Sequence, residues 1–419
     1  MTGTALALAR VEFAITACVH FLFVALTLGL LPVVAVLQTR WVRSGKPVFE
    51  RMTKYWGNLY VINYAVGIAA GLVMEFQFGL NWSGLTGFAG DVFGAPLTLE
   101  TIVAFVAEST LLGVWILGWG TLPAKVHLAV IWLITLTAYI STFWVMLANG
   151  FLQHPVGYAV RGGRIVLTDW WALLTNPGAL YGLAHLVAGA LATGGFVVAG
   201  ISAYHWARRT SEREFFGRSL NTGIAVAAGG SLLTIALGIP QFGYLKTAQP
   251  TKLAAINGDP TAMAAAQAAM RAAHGPGDYA PPAVIGPLST AMMVAGIVMA
   301  AVAAGALFLR GPLLRSRPAL WLLVGMIPLP FAALTAGWLV RELGRQPWSV
   351  YGVQRTNEAA STAGTPAVLT SLIAFTAIYA LLATLDYALL TRAAKRGPRE
   401  GLFGPTEPEP TPHTITEPA

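Results

Sequence analysis

Four ionisable side chains stand where an apolar helix has no use for them. His20, Glu75, Glu100 and Glu108 lie inside, or at the outer end of, apolar runs of about 20 residues. An ionisable group at mid-bilayer costs roughly 2.5–3.5 kcal/mol on insertion scales, so it needs a partner or a task. His20 is about 10 residues into the first run, roughly 15 Å deep at 1.5 Å per residue. Glu108 is at similar depth in the third run. Glu100 lies two turns above it, about 80° round the helix, and Glu75 ends the second run at the level of Glu100. Imidazole can bind iron, and a desolvated carboxylic acid can carry protons. A structural His–Glu pair is the plainer reading of the same residues, and the two stay open at this point.

A second pair sits elsewhere. His185 falls early in the fifth run and Met293 early in the seventh, each roughly 8–9 Å below the same surface. Gly182 and Gly189 flank the histidine, and Ser289 and Gly296 flank the methionine. Small neighbours leave space for a flat macrocycle, and His with Met is the donor set of a low-spin haem. Ordinary helix packing explains the same glycines, and Met292 is an alternative ligand. Asn149 and Gln153 close the fourth run. With Ser109 and Ser141 they could line a hydrated path or bond across helices. Arg345 and Trp348 place a guanidinium beside an indole at the outer surface, as a partner for a propionate or as an interfacial anchor. His127, His154, His205, His274 and His413 fall at helix ends, in loops or in the tail and read as solvated or interfacial.

These residues need elements that hold them in a membrane. The chain has 419 residues, of which 56% are hydrophobic and only 11% charged, against about 25% charged in a soluble domain. That excludes soluble, disordered and fibrous classes. One cysteine, Cys18, excludes intramolecular disulfides and cysteine-based metal sites. The expected architecture is all-α and polytopic, with nine transmembrane helices at roughly 11–39, 55–79, 97–119, 127–151, 179–207, 221–241, 287–309, 319–340 and 367–391. With the N-terminus outside, 17 of the 26 Lys and Arg fall in inner segments and 9 outside, so the chain reads N-out and C-in. The net charge of +8 is then a topology signal, and nucleic acid is not an expected partner. Residues 1–402 read as one membrane domain that includes an outer loop, 242–286. Residues 403–419, rich in Pro, Thr and Glu, read as a disordered cytoplasmic tail. No internal repeat and no cleavable leader are evident.

The chain resembles subunit I of bacterial cytochrome bd quinol oxidases over nearly its whole length. The resemblance rests on His20–Phe21–Leu22–Phe23 with Leu26–Thr27–Leu28–Gly29, on the run from Gly71 through Glu75 to Gly79, and on Gly94–Ala95–Pro96–Leu97 leading to Glu100 and Glu108–Ser109–Thr110. Ala148–Asn149–Gly150 with Gln153 and Pro155, and Gly344 to Trp348, complete it. It implies a nine-helix subunit in a bacterial plasma membrane. It implies three cofactors, a low-spin haem b, a high-spin haem b and a haem d, all near the outer face. His185 and Met293 match the low-spin ligands, His20 an axial ligand of the high-spin pair with Glu100 beside it, and Glu108, Ser109 and Ser141 the proton path. The outer loop matches a short quinol-binding loop, with Lys252 facing a quinone oxygen and Asn257 where a glutamate is common. Quinol and O2 are the implied substrates. A second membrane subunit is the implied partner, with room for a small accessory peptide. Thr335 stands where many members carry a glutamate that ligates the high-spin haem b, and Ala291 where an arginine is common. These departures imply altered ligation of the second haem, or a diverged paralogue without O2 reduction. A proton-coupled transporter is a further alternative, which the absence of inverted halves disfavours.

Overall fold

The computed structural model describes residues 1–398 and 402–403, apart from the side chains of 104 and 105. Among these residues nine helices are long and apolar enough to cross a membrane: Gly3–Ser44, Pro47–Leu80, Ser83–Leu117, Ala124–Gln153, Trp170–Ala207, Arg213–Ala248, Ile285–Phe308, Arg317–Leu343 and Thr365–Arg396, called spans one to nine. They coincide with the nine apolar runs but overshoot most of them, because a helix keeps its own backbone bonded beyond the hydrocarbon edge. Span one, for example, runs 42 residues from a Thr2 cap to Gly45, whose N–H closes on the Trp41 carbonyl.

Small residues set the centre of the bundle. Span five is buried on nearly all sides by its neighbours. Its Gly194 meets the backbone of Gly29 on span one, and its Gly195 meets Ala227 of span six. No methyl group fits at these crossings. Without water to drive association, such backbone-to-backbone contact is how membrane helices pack most tightly. Proline interrupts span eight, where the chain leaves a first segment, Arg317–Gly325, and restarts at Pro328. Span three contains a π-helical turn, Ile102–Glu108.

The outer face carries the remaining structure. A hairpin pairs Tyr158–Arg161 with Arg164–Leu167. Its two-residue turn, Gly162–Gly163, has φ of 56° and 74°, values that suit glycine and match hairpin twist. The long loop is mostly helical. Span six continues to Ala248, and two short helices follow, Pro250–Asn257 and Pro260–His274. Asp259 caps the second through the Ala262 N–H. Trp348–Val350 pairs with Gln354–Arg355 after span eight.

At the inner end His127 is buried, correcting its reading as a solvated helix start. Its Nε2 lies 2.8 Å from the Trp115 carbonyl and its Nδ1 3.0 Å from Gln38 Nε2, while the Trp115 indole donates to Gln38 Oε1. His205 is likewise held, 2.7 Å from the Ala394 carbonyl and stacked on Phe216. Phe403 returns to this end and packs its ring against Trp115 and Trp119, while the Leu402 N–H donates to Asn58. The tail was read as starting at 403, so its first residue belongs to the packed body. Residues 404–419, with His413, and residue Arg399 of the inner cation set lie outside the described residues.

Candidate functional site

His20 lies near the middle of span one, facing span two. A Cβ on Gly71 would lie 3.1 Å from its Cε1, so the glycine is what admits the ring. His20 Nδ1 is buried and has no hydrogen-bond partner among the described residues. An unpaired buried ring nitrogen is uncommon in a folded protein and asks for an explanation such as an absent ligand. The ring lines a cavity of about 350 Å³ enclosed by spans one to four and eight, large enough for a cofactor.

The carboxylates expected at this level converge on the same cavity. Glu75, Glu100, Glu108 and Ser141 all line it. Thr101 donates to Glu75 at 2.9 Å, Ser141 to Glu100 at 3.1 Å and Tyr60 to Glu108 at 3.4 Å. Ser109 pairs with the Tyr64 hydroxyl at 3.4 Å. The π turn between Glu100 and Glu108 widens the helix and lowers the angle per residue. It turns both acids toward one space, a common use of such turns at functional sites. Each acid has one hydroxyl partner and no cation in contact among the described residues, so each has oxygen capacity left for a ligand or a proton.

Glu342 is the residue that sequence reasoning missed. It lines the cavity from span eight. It accepts hydrogen bonds from Asn149 at 2.7 Å and Gln153 at 3.3 Å, and pairs with Arg345 at 2.8 Å. Asn149 and Gln153 therefore bond across helices. Thr335 is not on the cavity wall. It lies seven residues earlier on the same helix, about 10 Å deeper, so this helix does bring a carboxylate to the site, and the reading of a missing one is corrected. The signal was present: Glu342 precedes Arg345 by three residues, a spacing that pairs charges on one helix face.

Arg345 and Trp348 are not at the surface, against expectation. They are 8% and 4% exposed. Arg345 reaches the cavity, and its Nε and Nη1 are buried with no partner among the described residues. That leaves a half-used fork suited to a second carboxylate. The indole of Trp348 instead stacks on Tyr279 of the outer loop, with ring centroids 5.7 Å apart, and the guanidinium over it is that of Arg355. Arg355 also donates to the Tyr279 hydroxyl at 2.7 Å. This stack fastens the loop to the segment that holds Arg345.

His185 projects toward span six, where a Cβ on Gly238 would lie 3.2 Å from its Cε1, and its Nδ1 is buried with no hydrogen-bond partner among the described residues. The glycines that flank it do not leave open space. Met146 and Arg341 occupy the side of Gly182, and Leu334 that of Gly189. They serve packing, and the room for the ring comes from Gly238. Met293 shares a helix face with Ser289 and Ala300, both buried, yet is itself 39% exposed. Gly296 beside it has nothing within 4 Å of its Cβ position. Met292 turns elsewhere, its sulfur against Gly337. Nothing in the packing joins His185 to Met293 directly.

Lys252 points inward. It is 5% exposed, and its ammonium donates to the Arg341 carbonyl at 3.0 Å. Asn257 is exposed, five residues on and about 140° round the same helix, so the two do not face one spot. Burial, then the neighbouring Arg341, lower the Lys252 amine to about 7, with Glu342 opposing. A folded-state value below that of the free amine means the unfolded chain binds more protons between about 7 and the ordinary lysine range. Stability therefore rises with pH through that window and is lowest, and flat, below about 7. The prediction is that wild type gains thermal stability relative to Lys252→Met as pH goes from 6 to 9. A constant difference across that range would contradict it.

The chain is similar to known proteins over most of its length. The family model described as cytochrome bd terminal oxidase subunit I matches residues 8–276 and 265–398. The chain is 38% identical to the cytochrome bd ubiquinol oxidase subunit 1 of Bacillus subtilis (strain 168), over 94% of each. It is 39% identical to the cytochrome bd-II ubiquinol oxidase subunit 1 of Escherichia coli (strain K12), over 60% of this chain and 49% of that one. Among solved structures, bd oxidase from Geobacillus thermodenitrificans superposes with a TM-score of 0.85 at 25% identity, covering 94% of this chain and all of the other.

Proposed function

This chain belongs to the cytochrome bd terminal oxidase subunit I family, a family of multi-pass plasma-membrane proteins, and on that premise we propose that it is the haem-bearing subunit of a quinol:O2 oxidoreductase. The observation that carries the reading is the meeting of His20, Glu100, Glu108, Glu342 and Arg345 around one cavity, with ring and guanidinium nitrogens left unpaired. Family membership brings haem. The residues fit it: two buried imidazoles with free nitrogens, each beside a glycine that a side chain would displace, and an arginine with two free donors.

Bound at these residues, haem would supply one-electron transfer and O2 reduction. His185 would hold a low-spin haem b, with Met293, exposed on span seven, as the second ligand of this reading. His20, with Glu100 and Glu342, would hold the high-spin pair, a haem b and a haem d, and Arg345 would neutralise a propionate. With Glu342 in place, the diverged-paralogue alternative loses the observation behind it. Lys252 and Asn257 belong to the quinol loop, and Lys252 reaches a quinone oxygen only if it exchanges its bond to the Arg341 carbonyl. Glu108, hydrogen-bonded to Tyr60, holds a proton at its carboxyl and releases it into the cavity, with Ser109 and Ser141 extending the path. Protons for water come from the inner side, so charge separates without a pump. A second membrane subunit completes the enzyme, and a small accessory peptide is compatible with it. The cytoplasmic tail of this reading begins after Phe403.

The test is the visible spectrum of the purified complex together with quinol-driven O2 uptake. His185→Ala is expected to remove the low-spin haem b band and retain the far-red band of haem d. His20→Ala is expected to do the reverse. Uptake falls at least 100-fold in both. Full haem content in both variants would sink the assignment.

A further inference from the structure

Two buried oxygens in the middle of the membrane lack partners among the described residues, and they stand at one level of adjacent helices. Asp386, on span nine, is 6% exposed, and its Oδ1 has no hydrogen bond. Asn63, on span two, is also buried. Its amide nitrogen donates to the Phe23 carbonyl and to the Thr27 hydroxyl, both at 2.8 Å, while its Oδ1 is unpaired.

Two bonds set the register between these antiparallel helices. The Tyr379 hydroxyl donates to the Ala70 carbonyl at 2.5 Å, and the Tyr55 hydroxyl to the Ala394 carbonyl at 3.1 Å. One bond runs from span nine to span two and the other runs back, so the lean of the side chains acts alike at both ends. Asp386 lies seven residues below Tyr379, and Asn63 seven below Ala70. They are level to within a helical turn. Both also lie on the inward stripes, Asp386 between Leu382 and Leu390, and Asn63 between Val66 and Leu59.

Two acceptors at one level repel unless a proton lies between them, and Asp386 makes no salt bridge among the described residues. Thr27, which accepts from the Asn63 amide, opens the way onward, because Thr27 lines the same cavity as His20 and Glu108. Arg392 and Lys395 lie one to three turns nearer the inner end of span nine. We propose that Asp386 is a proton-loading residue that feeds the cavity from the side of span nine, separately from Glu108, with Asn63 as its positioning residue. This rests on the oxidase reading given above. The protonated carboxyl donates its O–H to Asn63 Oδ1. During turnover that O–H bond breaks and the proton passes to a water in the cavity at Thr27. The O–H bond re-forms by uptake from the inner side, and no electrons move.

The experiment uses the whole complex in liposomes. It measures anaerobic reduction of the haems by quinol, quinol-driven O2 uptake, and the carboxyl C=O region of the redox-induced infrared difference spectrum. Asp386→Asn keeps the shape and a donor but cannot load a proton. It is expected to retain haem content and the rate of haem reduction while O2 uptake falls at least ten-fold. Asp386→Glu is expected to restore most of the uptake and to shift a carboxyl band. Uptake in Asp386→Asn within two-fold of wild type overturns the proposal and makes Asp386 structural. Should that variant not assemble, a carboxyl spectrum unchanged in Asp386→Glu overturns it equally. A wild-type complex that quinol cannot reduce would instead defeat the oxidase reading.

Discussion

Glu342→Ala is expected to abolish quinol-driven O2 uptake and to cost the fold about 3 kcal/mol, the lower end of what breaking a buried ion pair costs. Glu342 is the acceptor for Asn149, Gln153 and Arg345. It is also the negative charge that opposes the burial of Lys252. Removing it leaves Arg345 with no anion among the described residues and the Asn149 amide without this acceptor, while Gln153 keeps the Arg341 carbonyl. Glu342→Gln separates the two roles. It keeps an oxygen for Asn149 and removes the charge, so the protein should assemble with most of its stability yet lose the far-red haem signal or its O2 reactivity. Denaturation followed by tryptophan fluorescence reads the first property and the visible spectrum the second. Full oxidase activity in Glu342→Gln would remove the carboxylate from the site.

Gly29→Val is expected to prevent assembly. The added carbons would run into the Ala190 carbonyl and the backbone of Gly194 on span five. A rigid helix backbone cannot yield as a flexible side chain can, so the crossing must open, and overpacking of this kind commonly costs 1–3 kcal/mol or more. Span one carries His20, nine residues away along the same helix, and opening the crossing moves the imbedded ring off Gly71. Membrane-extracted Gly29→Val should therefore run as aggregate on size exclusion and carry no haem. Gly3→Val, on the same helix with nothing within 4 Å of its Cβ position, is the control and should behave as wild type. A monodisperse, haem-loaded Gly29→Val would show that the crossing is looser than described.

Most of the fold was legible in the sequence, since continuous apolarity over about 20 residues has few readings other than a spanning helix. The shared level of His20, Glu75, Glu100 and Glu108 was legible from depth, because helical rise converts residue number directly into height, and all four line the cavity. Azimuth was less legible. Lys252 and Asn257 share a loop helix but not a face, and Gly182 and Gly189 look like space and are packed full. Glu342 escaped because it sits beside Arg341 and near Arg345, in a run that reads as solvated charge at a helix end. His127 escaped for the opposite reason: a histidine at a helix start looks wet until a neighbouring span supplies Gln38. The Gly162–Gly163 pair is itself a turn signature, and the hairpin follows from it.

The docking of Leu402 and Phe403 bears on how this protein should be handled in the laboratory. A truncation ahead of residue 402 would strip the indoles of Trp115 and Trp119 of the ring packed on them, and these are the indoles that hold the buried Gln38–His127 pair. An affinity handle appended beyond residue 404 would spare that seal. The choice of cloning boundary is thus a variable in any assay of this enzyme.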